Sequence, residues 1–183
     1  MVYLAYTIYT GLTREGPIDY HWVGNLTDSS ATVKLVSAGF TAPIDITVNG
    51  EMHSVSYVNG TYTLDLAGLE SDTVYSVSYL DRALSFKTPG QSFKFAAVSC
   101  AHTASESEVF ASIASHKPEF IAHLGDLHYA GHWSLTSREF KYAVHEVMAS
   151  RQGDLLQNTP LVYLLDDHDS GKNNANSRHP SVH

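Results

Sequence analysis

The sequence is poor in cysteine, in basic residues and in long apolar runs. Cys100 is the single cysteine among 183 residues, so an internal disulfide is excluded and cysteine pairing indicates neither an oxidising nor a reducing compartment. The net charge is −8, with 11 Lys and Arg against 19 Asp and Glu. This balance gives no support for nucleic-acid binding, which needs a basic surface. No apolar run approaches the roughly 20 residues that span a bilayer, so no transmembrane segment is predicted.

The amino-terminal segment, residues 1–18, begins MVYLAYTIYTG, which is apolar and aromatic. It lacks the basic region and the small-residue cleavage site of a signal peptide. We therefore interpret it as a segment that forms an extra strand. The hydrophobic fraction of 43% is ordinary for a folded chain of one domain or two small ones.

Residues 19–89 show the alternation of apolar and polar residues that is typical of short β-strands. The segments are 31–39, 44–50, 53–60, 61–68, 74–80 and 83–88. Two of the intervening turns, Asn49-Gly50 and Asn59-Gly60, are of the kind found in tight hairpins. The regular spacing predicts an antiparallel β-sandwich. Tyr75, six residues after Leu69, resembles the tyrosine corner of fibronectin type III and immunoglobulin-like sandwiches.

A different pattern follows Pro89-Gly90, which cannot continue a strand. Buried strands are predicted at 93–100, 120–126 and 160–167. The intervening segments begin with helix-capping signals, Ser105 with Glu108 and Thr136 with Glu139, and then show helical apolar spacing. Strands that alternate with helices predict a parallel sheet with crossover helices in residues 93–183.

Each predicted parallel strand is followed by side chains that can bind a metal. These are Cys100 and His102 after the first strand, Asp126, His128 and Tyr129 after the second, and Asp166 to Asp169 after the third. Ligands of such sheets bind at the carboxyl ends of the strands. Taken singly, each residue has a structural explanation as a buried thiol, a turn aspartate or a buried aromatic. Three carboxylates within four residues repel one another unless a cation compensates, so the whole pattern favours a metal or phosphate site.

These motifs resemble those of metallophosphoesterases of the purple acid phosphatase and PhoD-type alkaline phosphatase kind. Gly125 to Tyr129 is similar to their G-D-x-x-Y block, and DDHD at 166–169 with Asn173-Asn174 is similar to the D-D-H-E/D and N-N block of the PhoD type. Ser99-Cys100 stands where PhoD-type enzymes carry a cysteine in their first metal motif. The resemblance covers about residues 19 to 177.

The fold that this resemblance implies has two parts. Residues 19–89 would form a fibronectin type III-like β-sandwich. Residues 93–183 would form the amino-terminal half of a metallophosphoesterase-like α/β domain, a partial βαβαβ layer.

The implied site holds two metal ions, Fe³⁺ with Ca²⁺ or another divalent metal. The implied metal ligands are Cys100, Asp126, Tyr129 and Asp167, with Asp126 bridging the two ions. His168 would be the catalytic histidine that contacts the phosphate and assists the leaving group. Further candidates for metal or substrate binding are His102, His128 and Asn174.

The implied activity is metal-dependent hydrolysis of phosphate monoesters, diesters or both. The family's remaining ligands lie far downstream of the third block, so we expect an incomplete ligand set and an open sheet edge in this chain. If the carboxyl-terminal half of the catalytic domain is supplied, the complete protein would be a PhoD-like phosphatase or phosphodiesterase. Alternatively, the chain is a non-catalytic subunit or interaction module, or it builds a reduced site in an oligomer. A partner chain or oligomer would then cover the open edge. PhoD-type relatives are commonly exported, so export is the expected localisation.

A plain sandwich with an α/β binding domain and no metal is the third interpretation. It requires the three motif blocks to coincide by chance.

Overall fold

The computed structural model describes residues 18–37, 39–129, 137–171 and 173–174. The strand predicted in residues 1–18 lies outside this range, apart from Ile18. The strands are β1 (Tyr20–Gly24), β2 (Ser30–Val36), β3 (Ile44–Val48), β4 (Glu51–Val55), β5 (Tyr57–Val58), β6 (Thr61–Ala67), β7 (Val74–Tyr79), β8 (Arg82–Lys87), β9 (Phe95–Val98), β10 (Phe120–His123) and β11 (Leu161–Tyr163). The helices are α1 (Glu108–Ser115), α2 (Ser137–Met148), α3 (Arg151–Asn158) and α4 (Asp167–Ser170).

Strands β1 to β8 form two four-stranded antiparallel sheets, with the orders β1-β2-β6-β5 and β4-β3-β7-β8. Alternate residues point into one shared core, because successive side chains of a strand lie on opposite faces. Val33 and Leu35 enter this core from the first sheet, and Ile46 and Val77 enter it from the second. The antiparallel arrangement predicted for this part of the chain is confirmed.

The two predicted Asn-Gly turns have the backbone that tight hairpins require. Asn49 and Gly50 have φ of 47° and 90°, and Asn59 and Gly60 have φ of 50° and 94°. Positive φ at both central positions matches the right-handed twist of the flanking strands. One predicted strand, 53–60, is wrong as a single element, since it is divided between β4 and β5 of different sheets. The six predicted segments also do not include β1.

Strands β9, β10 and β11 form a parallel sheet in the order β11-β10-β9. Helices cover one face, where Ile121 lies in a core with Val147 and Leu156. The predicted parallel sheet with helices is thus confirmed. Helix α3 was not predicted. Helix α1 is capped by Ser107 and not by the predicted Ser105, because Ser107 has an extended backbone and its hydroxyl accepts the N–H of Val109.

The opposite face of this sheet is apolar and exposed in the described part of the chain. Phe95 and Val162 are 52% and 43% exposed. Phe95 stacks on Phe120 with ring centroids 5.3 Å apart, and Phe93 joins the same aromatic cluster. A sheet face of this composition is suited to being covered by another layer.

Strand β1 joins the two halves, because its alternate residues enter different cores. His21 and Val23 face the sandwich, where the His21 imidazole lies 2.6 Å from the Tyr79 hydroxyl. Tyr20 and Trp22 face the α/β half, and Tyr20 is buried in its core. Within the described part of the chain, no helix has the length and apolar character of a membrane span.

Tyr75 closes a loop of the sandwich. Its hydroxyl accepts the backbone N–H of Glu70 at 2.8 Å, and its ring stacks on Phe86 at 5.5 Å. The ring orientation is therefore fixed by packing, while the hydroxyl satisfies a backbone donor at the chain crossing.

We expect Tyr75→Phe to lower the free energy of unfolding by about 1 kcal/mol, the usual net value of one such hydrogen bond. Urea denaturation measures the loss. Tyr57→Phe is the matched control, because the Tyr57 hydroxyl reaches its acceptor, the Ser37 carbonyl, only at 3.4 Å. Equal losses in the two variants would contradict the anchoring role of Tyr75.

Candidate functional site

The loops that follow β9, β10 and β11 meet at one edge of the parallel sheet. The Cys100 N–H donates to the Gly125 carbonyl oxygen at 3.2 Å, which ties the first loop to the second. The Leu164 N–H donates to the His123 carbonyl oxygen at 2.9 Å, which ties the third strand end to the second. The carboxyl ends of parallel strands lie side by side, so side chains distant in sequence come together here.

Gly125 allows the second and third loops to approach each other closely. Its φ is 107°, a conformation that L side chains rarely adopt. A Cβ at this position would lie 2.5 Å from the Cβ of Asp166 and 3.2 Å from its backbone nitrogen. Asp126 follows with φ of 53°, also in the left-handed region. The turn at Gly125 and Asp126 thus packs directly against the third loop.

The Asp126 carboxylate, 6% exposed, is the centre of the site. The Tyr129 hydroxyl donates to its Oδ2 at 2.7 Å, and the Cys100 thiol approaches the same oxygen at 3.7 Å. The pKa of the Tyr129 phenol is raised, first by its hydrogen bond with the Cys100 thiol and then by the bond to Asp126. The phenol is therefore protonated in the metal-free protein, and a metal would have to displace that proton.

The third loop adds a carboxylate and an imidazole. Ligand atoms of Asp126, Asp167 and His168 lie within 4.8 Å of one another. The backbone N–H of His168 donates to Asp126 Oδ1 at 3.3 Å, and the centroid of the His168 ring lies 4.4 Å from that of the Tyr129 ring. The Asn174 N–H donates to Asp167 and lowers the pKa of that carboxyl, which keeps it ionised.

The donor set fits a metal ion. Two carboxylates whose oxygens approach within 4.8 Å repel each other, and a cation between them would remove that cost. Carboxylate, imidazole, phenolate and thiolate are all metal ligands, and Tyr129 and Cys100 supply the last two.

The site thus brings together Cys100, Asp126, Tyr129, Asp167 and His168, all predicted from the sequence. His102 lies on the surface, with its Nδ1 2.9 Å from the Thr103 carbonyl oxygen. His128 is buried, and its ring packs edge-on against Phe140. Asn174 is exposed and contacts Asp167 through its backbone. Metal or substrate binding stays a prediction for these three residues and for the five that the site brings together.

Sequence reasoning missed the contacts of Asp169, which is 4% exposed. Its carboxylate accepts the backbone N–H groups of Asp126, Leu127 and Asp166 at 2.7, 2.8 and 3.0 Å. It also completes a capping box with Asp166 at the start of α4. The spacing of these two aspartates, three residues apart before a short helix, was the signal available in the sequence.

His123 was also missed. It is 1% exposed on β10, and its ring meets that of Tyr163 edge-on with centroids 5.7 Å apart. Burial lowers the pKa of the imidazole, against the opposing charges of Asp169 and Asp126. His123 is therefore neutral in the folded protein, directly beneath the loops of the site.

Comparison with known proteins identifies the fold. No protein-family model matches the chain, and no curated protein matches it. The solved structure of PhoD matches it with a TM-score of 0.72 and 16% identity, over 91% of this chain and 42% of the PhoD chain. A redesigned β-sandwich protein matches with a TM-score of 0.35 and 20% identity, over 43% of this chain and 100% of that one. CBM31 from beta-1,3-xylanase matches with a TM-score of 0.32 and 13% identity, over 39% of this chain and 92% of that one. Both TM-scores are too low to support an argument.

The chain therefore has a PhoD-like fold, which confirms the resemblance inferred from its motifs at the level of fold. It spans less than half the length of the PhoD chain that it matches.

We expect Gly125→Ala to disrupt the site, because the new Cβ would meet Asp166 at 2.5 Å and the φ of 107° disfavours alanine. The free energy of unfolding should fall by about 2 kcal/mol or more. Gly50→Ala is the matched control, since Gly50 has φ of 90° and nothing within 4 Å of its added Cβ. The free energy of unfolding of Gly50→Ala should fall by only about 1 kcal/mol, the cost of placing alanine in this backbone conformation. Urea denaturation compares the two, and equal losses would show that the loops can separate at no cost.

Burial of neutral His123 predicts a pH dependence of stability. Its pKa is lower in the folded than in the unfolded state. The contribution of His123 to the free energy of unfolding is therefore fully present above the unfolded pKa of about 6.5 and is lost as the pH falls below that value. The loss is at most about 1.4 kcal/mol per pH unit.

Urea denaturation at pH 7.5 and 5.5 should show a smaller difference in His123→Leu than in the wild type. The exposed His102 provides the control, and His102→Gln should keep the wild-type difference. A wild-type difference in His123→Leu would mean that other groups cause the acid loss.

Proposed function

We propose that this chain carries the amino-terminal half of the catalytic domain of a PhoD-type metal-dependent hydrolase, acting on phosphate monoesters, diesters or both. One observation carries the proposal: the Tyr129 phenol and the Cys100 thiol approach one oxygen of Asp126, while Asp167 and His168 lie alongside. The PhoD-like fold over 91% of the chain supports it.

We infer that Asp126 would contribute one carboxylate oxygen to each of two metal ions. Its Oδ2 faces Tyr129 and Cys100, and its Oδ1 faces the third loop. The phenolate and thiolate suit Fe³⁺ as a ligand pair, and the Asp167 carboxylate suits Ca²⁺ or another divalent metal. Bound metals would supply a hydroxide nucleophile and polarise the phosphoryl group.

The side chains of the chain have separate roles in this proposal. Tyr129 and Cys100 would release their protons when the metals bind, so that their charge offsets that of the cations. Asp126 and Asp167 would hold the metals through their carboxylates. His168, half-buried beside the Tyr129 ring, would donate a hydrogen bond to a phosphate oxygen and a proton to the leaving group.

We also propose that the sandwich is fibronectin type III-like. The strand orders β1-β2-β6-β5 and β4-β3-β7-β8 support this, as does the bond from the Glu70 N–H to the Tyr75 hydroxyl. Such a domain would give the α/β half a rigid neighbour through β1. Export of the protein remains part of the proposal through the family resemblance alone.

A second candidate function is favoured by the open face of the parallel sheet. Phe95, Val162 and Leu164 are 52%, 43% and 57% exposed there, next to the site loops. In this alternative the chain is a non-catalytic subunit, and its apolar face binds a partner chain or a second copy. The partner that was predicted for the sheet edge would then cover the face as well.

Metal content tests the leading proposal. The 183-residue chain, exhaustively dialysed, should retain about one metal ion or more per chain, measured by elemental mass spectrometry. Asp126→Asn should lose that metal, because an amide cannot supply a bridging carboxylate. Asp45→Asn, an exposed change on β3, should retain it.

Hydrolysis of p-nitrophenyl phosphate and bis(p-nitrophenyl) phosphate extends the same test. Any activity of the wild type should fall at least about 100-fold in Asp126→Asn and stay unchanged in Asp45→Asn. A wild type that retains no metal would contradict the proposal. Size-exclusion chromatography would then decide whether the open face associates, as the second candidate requires.

A further inference from the structure

The buried carboxylate of Asp169 lies between the second and third loops and contacts both. Its Oδ2 accepts the N–H groups of Asp126 at 2.7 Å and Asp166 at 3.0 Å, and its Oδ1 accepts that of Leu127 at 2.8 Å. Both oxygens are therefore already engaged by backbone donors. Because these donors occupy both oxygens, the Asp169 carboxylate is poorly placed to bind a metal itself.

These bonds hold a turn whose backbone is otherwise unfavourable. Gly125 and Asp126 have φ of 107° and 53°, and a left-handed aspartate persists only where its surroundings stabilise it. The N–H groups of Asp126 and Leu127 both point to Asp169, while the Asp126 side chain is directed towards Tyr129. The orientation of the Asp126 carboxylate thus follows from where its backbone is held.

The same carboxylate also sets the third loop. Asp169 completes the capping box of α4 with Asp166, and the helix begins with Asp167 and His168. A single buried group therefore contacts both the turn that carries Asp126 and the start of the helix that carries Asp167 and His168, more than forty residues further along the chain.

We infer that Asp169 is a positioning residue, which holds Asp126 in line with Asp167 and His168 so that their ligand atoms form one metal site before any metal binds. This inference rests on the proposed function. Outer groups that orient metal ligands commonly change metal affinity by about 10- to 100-fold when they are altered.

Asparagine at this position tests the inference, because it keeps the shape but replaces one acceptor oxygen with an NH₂ donor. With the NH₂ at the place of Oδ2, it would oppose the N–H groups of Asp126 and Asp166. The amide would therefore place its oxygen there and leave the Leu127 N–H without an acceptor. Either orientation loosens the turn that carries Asp126.

Asp166→Asn is the matched control. It removes one negative charge from the same loop, so it has a similar electrostatic effect on a nearby cation. Among the described residues, the Asp166 side chain accepts N–H groups of its own helix alone, and asparagine is an equally good N-cap. Its carboxylate has no described bond to the turn at Gly125 to Leu127, so the ligand geometry should survive.

Mn²⁺ affinity is measured by isothermal titration calorimetry on the full 183-residue chain. We expect Asp169→Asn to bind about 10- to 100-fold more weakly than the wild type, and Asp166→Asn to remain within about threefold of it. Hydrogen exchange of the Leu127 amide should be faster in Asp169→Asn and unchanged in Asp166→Asn. Equal Mn²⁺ affinities of the two variants would overturn the inference.

Leu35→Ala in the sandwich core is the control for general loss of stability. It should lower the unfolding temperature but leave the Mn²⁺ affinity unchanged. Should Asp169→Asn yield no folded protein, Asp169→Glu replaces it, because the extra methylene displaces both acceptor oxygens. Wild-type affinity in folded Asp169→Glu would overturn the inference. A wild type that binds no Mn²⁺ and retains no metal would instead contradict the proposed function, while the Leu127 amide would still report whether Asp169 holds the turn.

Discussion

Gly125 lies so close to Asp166 that it has no room for a side chain, and this contact sets where the candidate metal ligands lie. A Cβ on Gly125 would stand 2.5 Å from that of Asp166. The two loops can therefore share one buried carboxylate, Asp169, which accepts N–H groups from both. The approach brings Asp126 within reach of Asp167 and His168. A wider gap between the loops would separate the donors into unrelated surface groups.

The electrostatics of the site follow from which carboxylates are satisfied. Asp169 has three backbone donors and needs no cation. Asp126 has its oxygens directed towards a phenol, a thiol and the third loop, and Asp167 is kept ionised by the Asn174 N–H. Backbone donors thus occupy both oxygens of Asp169, whereas Asp126 and Asp167 lie close enough to repel each other, and a metal would relieve that repulsion. This division of roles is what a metal site requires.

The two halves of the chain act as one structural unit through β1. Its alternate residues are divided between the sandwich core and the α/β core, so the parallel sheet is held from one side. In the described part of the chain, the other side, with Phe95 and Val162, is exposed. Because the site loops lie at the edge of this open face, a layer packed there could add further ligands.

Local patterns determined much of this protein. Period-two alternation placed the antiparallel strands, and Asn-Gly pairs placed two hairpin turns. Polar groups after three apolar strands marked the site, and the family resemblance selected Cys100, Asp126, Tyr129, Asp167 and His168 among them. These signals lie within windows of about ten residues, where periodicity and turn chemistry are encoded. The tertiary structure decided the rest: the division of 53–60 between two sheets, the added helix α3, the burial of His123, and the bonds of Asp169 to Asp126 and Leu127. No local pattern states which backbone a buried side chain will meet, because that depends on how distant segments pack together.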